Sequence, residues 1–138
     1  MSQDIRFTVT PRAGRQTTGS GSKWEAKMGY SRAVRSGNFI AVSGTVGVNA
    51  DGKYPSSLAE QTRRSLSIIQ AAIESLGGKI EHVIRTRMFV TDVSKWEEVA
   101  SVHGEIFGEI RPATAIIEVA RLIDADAKIE IEADVIVA

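Results

Sequence analysis

The sequence predicts an α+β fold in which two helices cover one face of a mixed sheet. Six segments have the β-branched or alternating composition of short strands, and two longer segments have the apolar spacing of amphipathic helices. In chain order these elements read βββαβαββ. A chain of 138 residues favours one domain, and we expect residues 1–138 to form it.

The first half of the chain predicts three strands and one long loop. Residues 5–10 alternate apolar and polar side chains and predict a short strand. Residues 11–29 carry glycines among Arg, Ser, Thr and Lys, which predicts a loop whose length fits either a functional or a connecting role. Residues 30–35 and 39–43 predict a hairpin that turns at the Ser-Gly-Asn sequence between them.

The two predicted helices have recognisable starts. Ser57 with Glu60 three residues later fits a capping box, in which each residue satisfies a backbone N–H of the other. An apolar stripe follows, and the glycine pair at 77–78 ends this helix. Ser94 with Glu97 predicts a second capping box, followed by apolar residues on one helical face. These residues are Trp96, Val99, His103, Ile106, Phe107 and Ile110.

The later strands are the most clearly patterned. Residues 83–90, 113–119 and 127–137 are predicted strands, because they are rich in β-branched residues or alternate strictly. In the last of them, apolar residues at odd positions alternate with charged residues at even positions. One face of the sheet is therefore apolar and the other charged. Such a charged face is compatible with solvation, with a subunit interface or with a site.

Composition excludes several classes of function. The 17 Lys and Arg residues balance 17 Asp and Glu residues, and a net charge of +0 argues against a general nucleic-acid binder. Without cysteine there is no thiol catalysis or disulfide, and the two histidines lack metal-ligand spacing. The polar start predicts no signal peptide, and no apolar run approaches the roughly 18 residues of a membrane span. We therefore expect a cytoplasmic protein with no metal and no membrane partner.

Several short motifs, taken in order, carry a resemblance to a known family. They are Tyr30, Gly37-Asn38, Ser43-Gly44, Gln61-Thr62-Arg63 with Ser65-Leu66, Pro112-Ala113, Glu118-Val119-Ala120-Arg121-Leu122, and Lys128-Ile129-Glu130-Ile131-Glu132-Ala133. Each motif is weak alone. Together they extend over nearly the whole chain and resemble the YjgF/Rid (reactive intermediate deaminase) family.

The resemblance implies a chorismate-mutase-like two-layer sandwich, packed as a homotrimer with clefts at the subunit boundaries. Active members of the family hydrolyse reactive imines, the tautomers of enamines released by pyridoxal-phosphate enzymes, to ketones and ammonia. They need no metal or cofactor. The resemblance thus implies a small-molecule ligand and an activity like that of a 2-iminobutanoate/2-iminopropanoate deaminase. Other members have been labelled ribonucleases or translation inhibitors, which the neutral charge of this chain does not favour.

By the same resemblance, Glu130 matches the glutamate that holds the attacking water. A carboxylate within hydrogen-bond reach of a water can orient it and take its proton. Tyr30, Ser43 and Gly44 match positions that line the substrate cleft. Thr114 stands where the family has an arginine that grips the substrate carboxylate, and a threonine cannot form that charged, bidentate clamp. The chain thus resembles a divergent subgroup, and we expect a substrate other than a simple α-imino acid.

Two further residues have open interpretations. His103, on the apolar face of the second predicted helix, is either a core histidine or an acid or base near the cleft. Arg32 follows Tyr30 by two residues, so on a strand both side chains would point the same way. Arg32 is then either a replacement for the missing arginine or a surface cation. The candidate site has Glu130 and His103 as catalytic residues and Tyr30, Arg32, Ser43, Gly44 and Thr114 as substrate-binding residues.

Three functions remain open at this level. The first is hydrolysis of an imine, an enamine or a related small molecule. The second is a trimer that binds a small metabolite without chemistry, and Glu130→Ala separates the two because only a catalyst has turnover to lose. The third is a protein or RNA interaction module, for which salt-dependent RNA binding is the test.

Overall fold

The computed structural model describes residues 4–138 and contains a seven-stranded mixed sheet with three α-helices. The strands are β1 Thr8–Arg12, β2 Arg15–Gly19, β3 Ala33–Ser36, β4 Phe39–Val46, β5 Val83–Val90, β6 Ala113–Glu118 and β7 Ile129–Ile136. The helices are α1 Lys23–Met28, α2 Leu58–Ser75 and α3 Trp96–Phe107. The predicted α+β class and the mixed sheet are confirmed. Residues 1–3, part of the polar start from which we expect no signal peptide, lie outside the described range.

The sheet has the strand order β1-β2-β3-β4-β7-β5-β6. Neighbouring strands are antiparallel except for β5 and β6, which are parallel. A parallel pair needs a crossover connection, and α3 supplies it. Within residues 4–138, no helix is both long and apolar enough to cross a membrane.

The core lies between the sheet and the helices α2 and α3. In β7, Ile129, Ile131 and Val135 are each 0% exposed, whereas the acids between them are partly exposed. Leu66 of α2 and Val99 of α3 belong to the same buried cluster. Because side chains alternate along a strand, the odd-numbered residues of β7 face the helices and the even-numbered residues face away from them. The expectation of two helices on one face is confirmed.

The two long helices begin differently. Ser57 Oγ accepts a hydrogen bond from the Glu60 N–H at 3.1 Å, so the predicted start of α2 is confirmed. The predicted second capping box is wrong. Asp92 Oδ1 accepts from the Ser94 N–H at 3.1 Å and caps a short 3₁₀ turn, after which α3 begins at Trp96 without a side-chain cap. Trp96 is 52% exposed and does not join the apolar face.

The N-terminal region departs most from expectation. Residues 11–29, predicted as a loop, contain both β2 and α1. β1 and β2 form an antiparallel hairpin whose turn places Ala13 at φ 51° and Gly14 at φ 76°, in the left-handed region that glycine adopts readily. α1 is held by Glu25, whose carboxylate accepts the Ser20 N–H at 3.0 Å and the Ser20 hydroxyl. The loop prediction failed because local composition does not report these tertiary contacts.

The predicted hairpin at residues 30–43 is confirmed with a shifted start. β3 begins at Ala33, so Tyr30 and Arg32 precede the strand rather than lying in it. The observed order of strands and α-helices is ββαββαβαββ, with one strand and one short helix more than the predicted βββαβαββ.

Candidate functional site

A cavity of about 690 Å³ lies beside Glu130, and we call it the Glu130 cavity. Its walls come from the end of β4, the following loop, the N-terminal segment that precedes β1 and the start of α1. β4 runs to Val46, past its last pair with β3 at Val42 and Ala33, so these irregular segments surround its end. Four of the predicted site residues line the cavity: Glu130, Arg32, Tyr30 and Gly44.

Glu130 lies in β7 on the sheet face opposite the core. It is half-buried, and burial raises the pKa of its carboxyl. The positive charge of Arg32 lowers the same pKa, and the nearby carboxylate of Glu132 raises it. Burial dominates, so the ionised form of Glu130 is a stronger base than an exposed glutamate.

Gly44 leaves the space that the Glu130 carboxylate occupies. A Cβ at position 44 would overlap Oε2 of Glu130 and lie 2.9 Å from its Cδ. Gly44 sits in the irregularity that shifts the register between β4 and β7. A glycine at such a point allows close approach to the backbone. The Glu130 carboxylate can therefore occupy its observed position only because residue 44 is a glycine.

Arg32 is fixed at the cavity by two contacts. Its Nη2 donates to the Gly44 carbonyl at 2.5 Å, and its guanidinium lies over the Tyr30 ring at 5.4 Å from the centroid. Its Nε is buried and has no hydrogen-bond partner among the described residues. A buried N–H of this kind is costly unless a ligand or water accepts from it. The Arg32 guanidinium therefore keeps one N–H that no described residue satisfies.

Ser43 has a different environment from its neighbour Gly44. Its hydroxyl donates to the Ser31 carbonyl at 2.6 Å, and its N–H donates to the Arg32 carbonyl at 2.9 Å. These bonds join β4 to the segment before β3. Ser43 fixes the backbone around Gly44 and Arg32, and its hydroxyl is engaged outside the cavity.

Tyr54 and Asp124, which interact with each other, are among the cavity residues that sequence reasoning does not find. Burial, followed by the charge and the hydrogen bond of Asp124, raises the pKa of Tyr54 to about 12. Tyr54 therefore remains protonated and can donate a hydrogen bond. The only signal in the sequence is an aromatic residue within a polar loop, and no motif surrounds it.

The other two predicted residues, His103 and Thr114, lie apart from the Glu130 cavity in a hydrogen-bonded series that we call the His103 chain. His103 Nε2 is 2.9 Å from Thr86 Oγ1, and Thr86 Oγ1 is 2.8 Å from Thr114 Oγ1. The His103 ring packs against Phe107 with the ring centroids 4.6 Å apart, and burial lowers the pKa of His103. Thr86, 0% exposed, is not predicted because a strand threonine is unremarkable in sequence.

The two groups occupy opposite faces of the sheet. Thr86 faces the helices, since it bonds to His103 of α3, and Thr114 pairs with it in register on β6. Glu130 lies between the buried Ile129 and Ile131 and faces the other way. The structure therefore brings together Glu130, Arg32, Tyr30 and Gly44, and separately His103 and Thr114. Among residues 4–138, no group of three or more His, Cys, Asp or Glu could hold a metal ion.

Comparison with known proteins gives consistent matches over most of the chain. The family model described as Endoribonuclease L-PSP matches residues 21–137. The 2-iminobutanoate/2-iminopropanoate deaminase of Escherichia coli (strain K12) is 38% identical over 108 residues, which cover 75% of this chain and 84% of the deaminase. A crystal structure of a YjgF/YER057c/UK114 family member from Mycobacterium tuberculosis is 44% identical and has a TM-score of 0.83, covering 89% of this chain and 99% of that one.

The matched region begins after β2 and contains every predicted site residue. The RutC family protein of Pyrococcus abyssi, 34% identical over 106 residues, covers 75% of this chain and 83% of its own length. The fold is the chorismate-mutase-like arrangement that the sequence motifs imply. The chain therefore belongs to the YjgF/RutC/Rid family, whose model is described as endoribonuclease L-PSP.

Proposed function

We propose that this chain is a Rid-type hydrolase that converts a reactive imine, or a closely related small molecule, to a ketone and ammonia. The observation that carries the proposal is Glu130, a half-buried carboxyl with a raised pKa at the wall of a cavity of about 690 Å³. The 38% identity to the E. coli deaminase supports the same class of reaction.

In the proposed reaction, Glu130 orients a water molecule and takes one of its protons while the water oxygen bonds to the imine carbon. The C=N double bond becomes a single bond, and the nitrogen takes up protons. The resulting carbinolamine loses ammonia as the C=O bond forms. The oxidation state of the carbon does not change, so no oxidant or reductant is required.

In this proposal Arg32 supplies the positive charge that Thr114 lacks. Its charge opposes the effect of burial and helps to keep Glu130 ionised. Arg32 lines the cavity, and its buried Nε has no hydrogen-bond partner among the described residues. Tyr30 packs on the guanidinium and limits its movement.

We further propose that the chain works as a homotrimer and that a second copy completes the site. Within one chain, Glu130 and the His103 chain are on opposite sheet faces, so a ligand that contacts both must lie between two copies. Light scattering in solution should give three times the chain mass of 14.9 kDa. A single-chain mass at micromolar concentration would contradict this part of the proposal.

A second function, metabolite binding without chemistry, is favoured by one observation. Thr114 is uncharged and is hydrogen-bonded to another threonine, so the family clamp for a substrate carboxylate is absent. Under this alternative the Glu130 cavity binds a small molecule, and Glu130 contributes only a hydrogen-bond acceptor.

The decisive experiment measures ammonia release from a panel of freshly generated imines, against a blank without protein. Glu130→Gln is compared with Glu132→Gln, a matched control two residues along the same face of β7. We expect acceleration over the blank that falls by about 100-fold or more in Glu130→Gln, because general-base catalysis contributes roughly that much. Glu132→Gln should retain most of the activity.

The other outcomes are equally informative. Equal losses in both variants would show that the charge of the face matters rather than a base at Glu130. If no imine is accelerated while small ketones still bind the wild-type protein, metabolite binding becomes the better assignment.

A further inference from the structure

We propose that the His103 chain presents Thr114 to the ligand as a hydrogen-bond donor, and that the ligand group at this position is an uncharged carbonyl oxygen. The inference rests on the proposed function in one respect, namely that Thr114 lines the ligand cleft. It adds a positioning residue, Thr86, and a substrate class, imines with an amide or ester carbonyl in place of a carboxylate.

The direction of the hydrogen bonds follows from counting protons. Each threonine hydroxyl has one proton to donate. Thr114 Oγ1 also lies 3.3 Å from the Pro112 carbonyl oxygen, which can only accept. If Thr114 donates to that carbonyl, Thr86 must donate to Thr114, and Nε2–H of His103 must donate to Thr86. The opposite direction leaves the Pro112 carbonyl without this bond.

Burial fixes the direction of the hydrogen bonds at Thr86, whereas the exposed Thr114 can change its acceptor. Thr86 is 0% exposed, so water does not compete for its hydroxyl. Thr114 is exposed, and its 3.3 Å bond to Pro112 is long and therefore weak. A ligand carbonyl can take this proton without disturbing the two inner bonds. Thr114 thus offers a donor whose orientation Thr86 has already set.

The chemistry of the donor selects the ligand group. The His103 chain itself consists of two hydroxyls and an imidazole whose pKa is lowered by burial, and the Phe107 ring packs on the imidazole. None of them carries a full positive charge while the imidazole is neutral. A single neutral hydroxyl does not compensate the desolvation of a carboxylate, whereas it satisfies one lone pair of an amide or ester carbonyl.

The first test is the tautomer of His103, which nitrogen-15 NMR of the histidine side chains reports without any ligand or activity. His82 is an internal reference, because the Lys79 N–H donates to its Nδ1 at 3.0 Å and fixes its neutral form as Nε2–H. We expect His103 to be Nε2–H as well, and Thr86→Val to shift its Nε2 signal but not that of His82. A neutral His103 with its proton on Nδ1 would overturn the inference, since Thr114 would then have to donate inward to Thr86.

The second test compares two ligands of equal size, 2-oxobutanamide and 2-oxobutanoate, by their dissociation constants. We expect the wild-type protein to prefer the amide. Thr86→Val and Thr114→Val should each lower the amide-to-acid affinity ratio about fivefold, the loss of one neutral hydrogen bond. Thr62→Val is the matched control, because its buried hydroxyl bonds to the Leu58 carbonyl within α2 and should leave the ratio unchanged.

Failure of this inference is distinguishable from failure of the proposed hydrolysis. An amide preference that depends on Thr86, in a protein that accelerates no imine, would refute hydrolysis and support the inference. Imine turnover with equal or better binding of the acid would support hydrolysis and refute the inference. Since Thr114 is exposed, Thr114→Val tests the ligand contact even if Thr86→Val fails to fold.

Discussion

The Glu130 cavity and the His103 chain are both polar, yet they differ in charge, in burial and in the face of the sheet they occupy. The cavity combines a carboxyl and a guanidinium beside an open space. The His103 chain consists of neutral groups, and Thr86, its middle member, is 0% exposed. Under the proposed function, chemistry and ligand selection would be supplied by these two separate parts of the fold. Substitutions that alter the Glu130 cavity should therefore change the rate of turnover. Substitutions in the His103 chain should change which ligand is preferred.

The largest expected effect is that of Gly44→Ala in the cavity. The new Cβ would overlap the Glu130 carboxylate, and a flexible side chain would move away at little cost. We expect turnover to fall by about 100-fold, as on loss of a general base, while the free energy of unfolding changes by less than about 0.5 kcal/mol. Steady-state kinetics and urea denaturation measure the two quantities.

A suitable control is Gly104→Ala in α3, where an added Cβ meets nothing within 4 Å. This variant should retain its rate and gain a little helix stability. If Gly44→Ala keeps full turnover, the observed position of the Glu130 carboxylate is not required for activity.

The next largest expected effect is on substrate preference, and it tests the lack of charge in the His103 chain. Thr114→Arg adds a guanidinium at an exposed position. We expect the ratio of kcat/KM for a 2-imino acid to that for its amide to rise by about tenfold or more, since a charge-assisted bond replaces a neutral one. Thr114→Gln, of similar reach but uncharged, is the control. An unchanged ratio in both variants would place Thr114 outside the ligand cleft.

The sequence predicts the later strands well for a physical reason. Ile129, Ile131 and Val135 need burial while the acids between them need water, and only a strand with two different faces satisfies both. β2 lacks such a constraint, because Arg15 and Gln16 are exposed and only its last residues are covered. Its edge hairpin is specified by a turn and by tertiary contacts, which composition does not reveal.

The candidate site shows the same contrast. Glu130 and Thr114 lie in contiguous motifs, so a resemblance to a family locates them in the sequence. Tyr54 and Thr86 have no motif, and their importance comes from neighbours distant in sequence, Asp124 and His103 respectively. Residues that act through such long-range contacts become visible only when the chain is folded.

A smaller effect is expected on the pH dependence of the rate. In the proposed reaction Glu130 acts as a base only when ionised, so turnover should fall as the pH drops through its pKa. The charge of Arg32 lowers that pKa, and Arg32→Met should therefore shift the acidic limb of kcat/KM to higher pH. Arg32→Lys keeps the charge and should leave the limb close to its original position. If Arg32→Met does not move the acidic limb of kcat/KM, a group other than Glu130 controls that limb.

The smallest expected effect is on the free energy of unfolding rather than on the activity. Burial raises the pKa of Glu130 in the folded state, so ionisation costs more when the protein is folded, and this cost appears as the pH rises through the folded pKa. Glu130→Gln removes it. The variant should match the wild type near pH 4 and be more stable at pH 8, by less than about 1 kcal/mol because the carboxyl is only half-buried. Urea denaturation at both pH values measures the difference, and Glu132→Gln is the comparison, since it instead removes a carboxylate that pairs with Arg87 at 3.2 Å. A Glu130→Gln protein that is less stable at pH 8 would show that attraction to Arg32 outweighs burial, and the carboxylate would then stabilise the fold as well as serve the reaction.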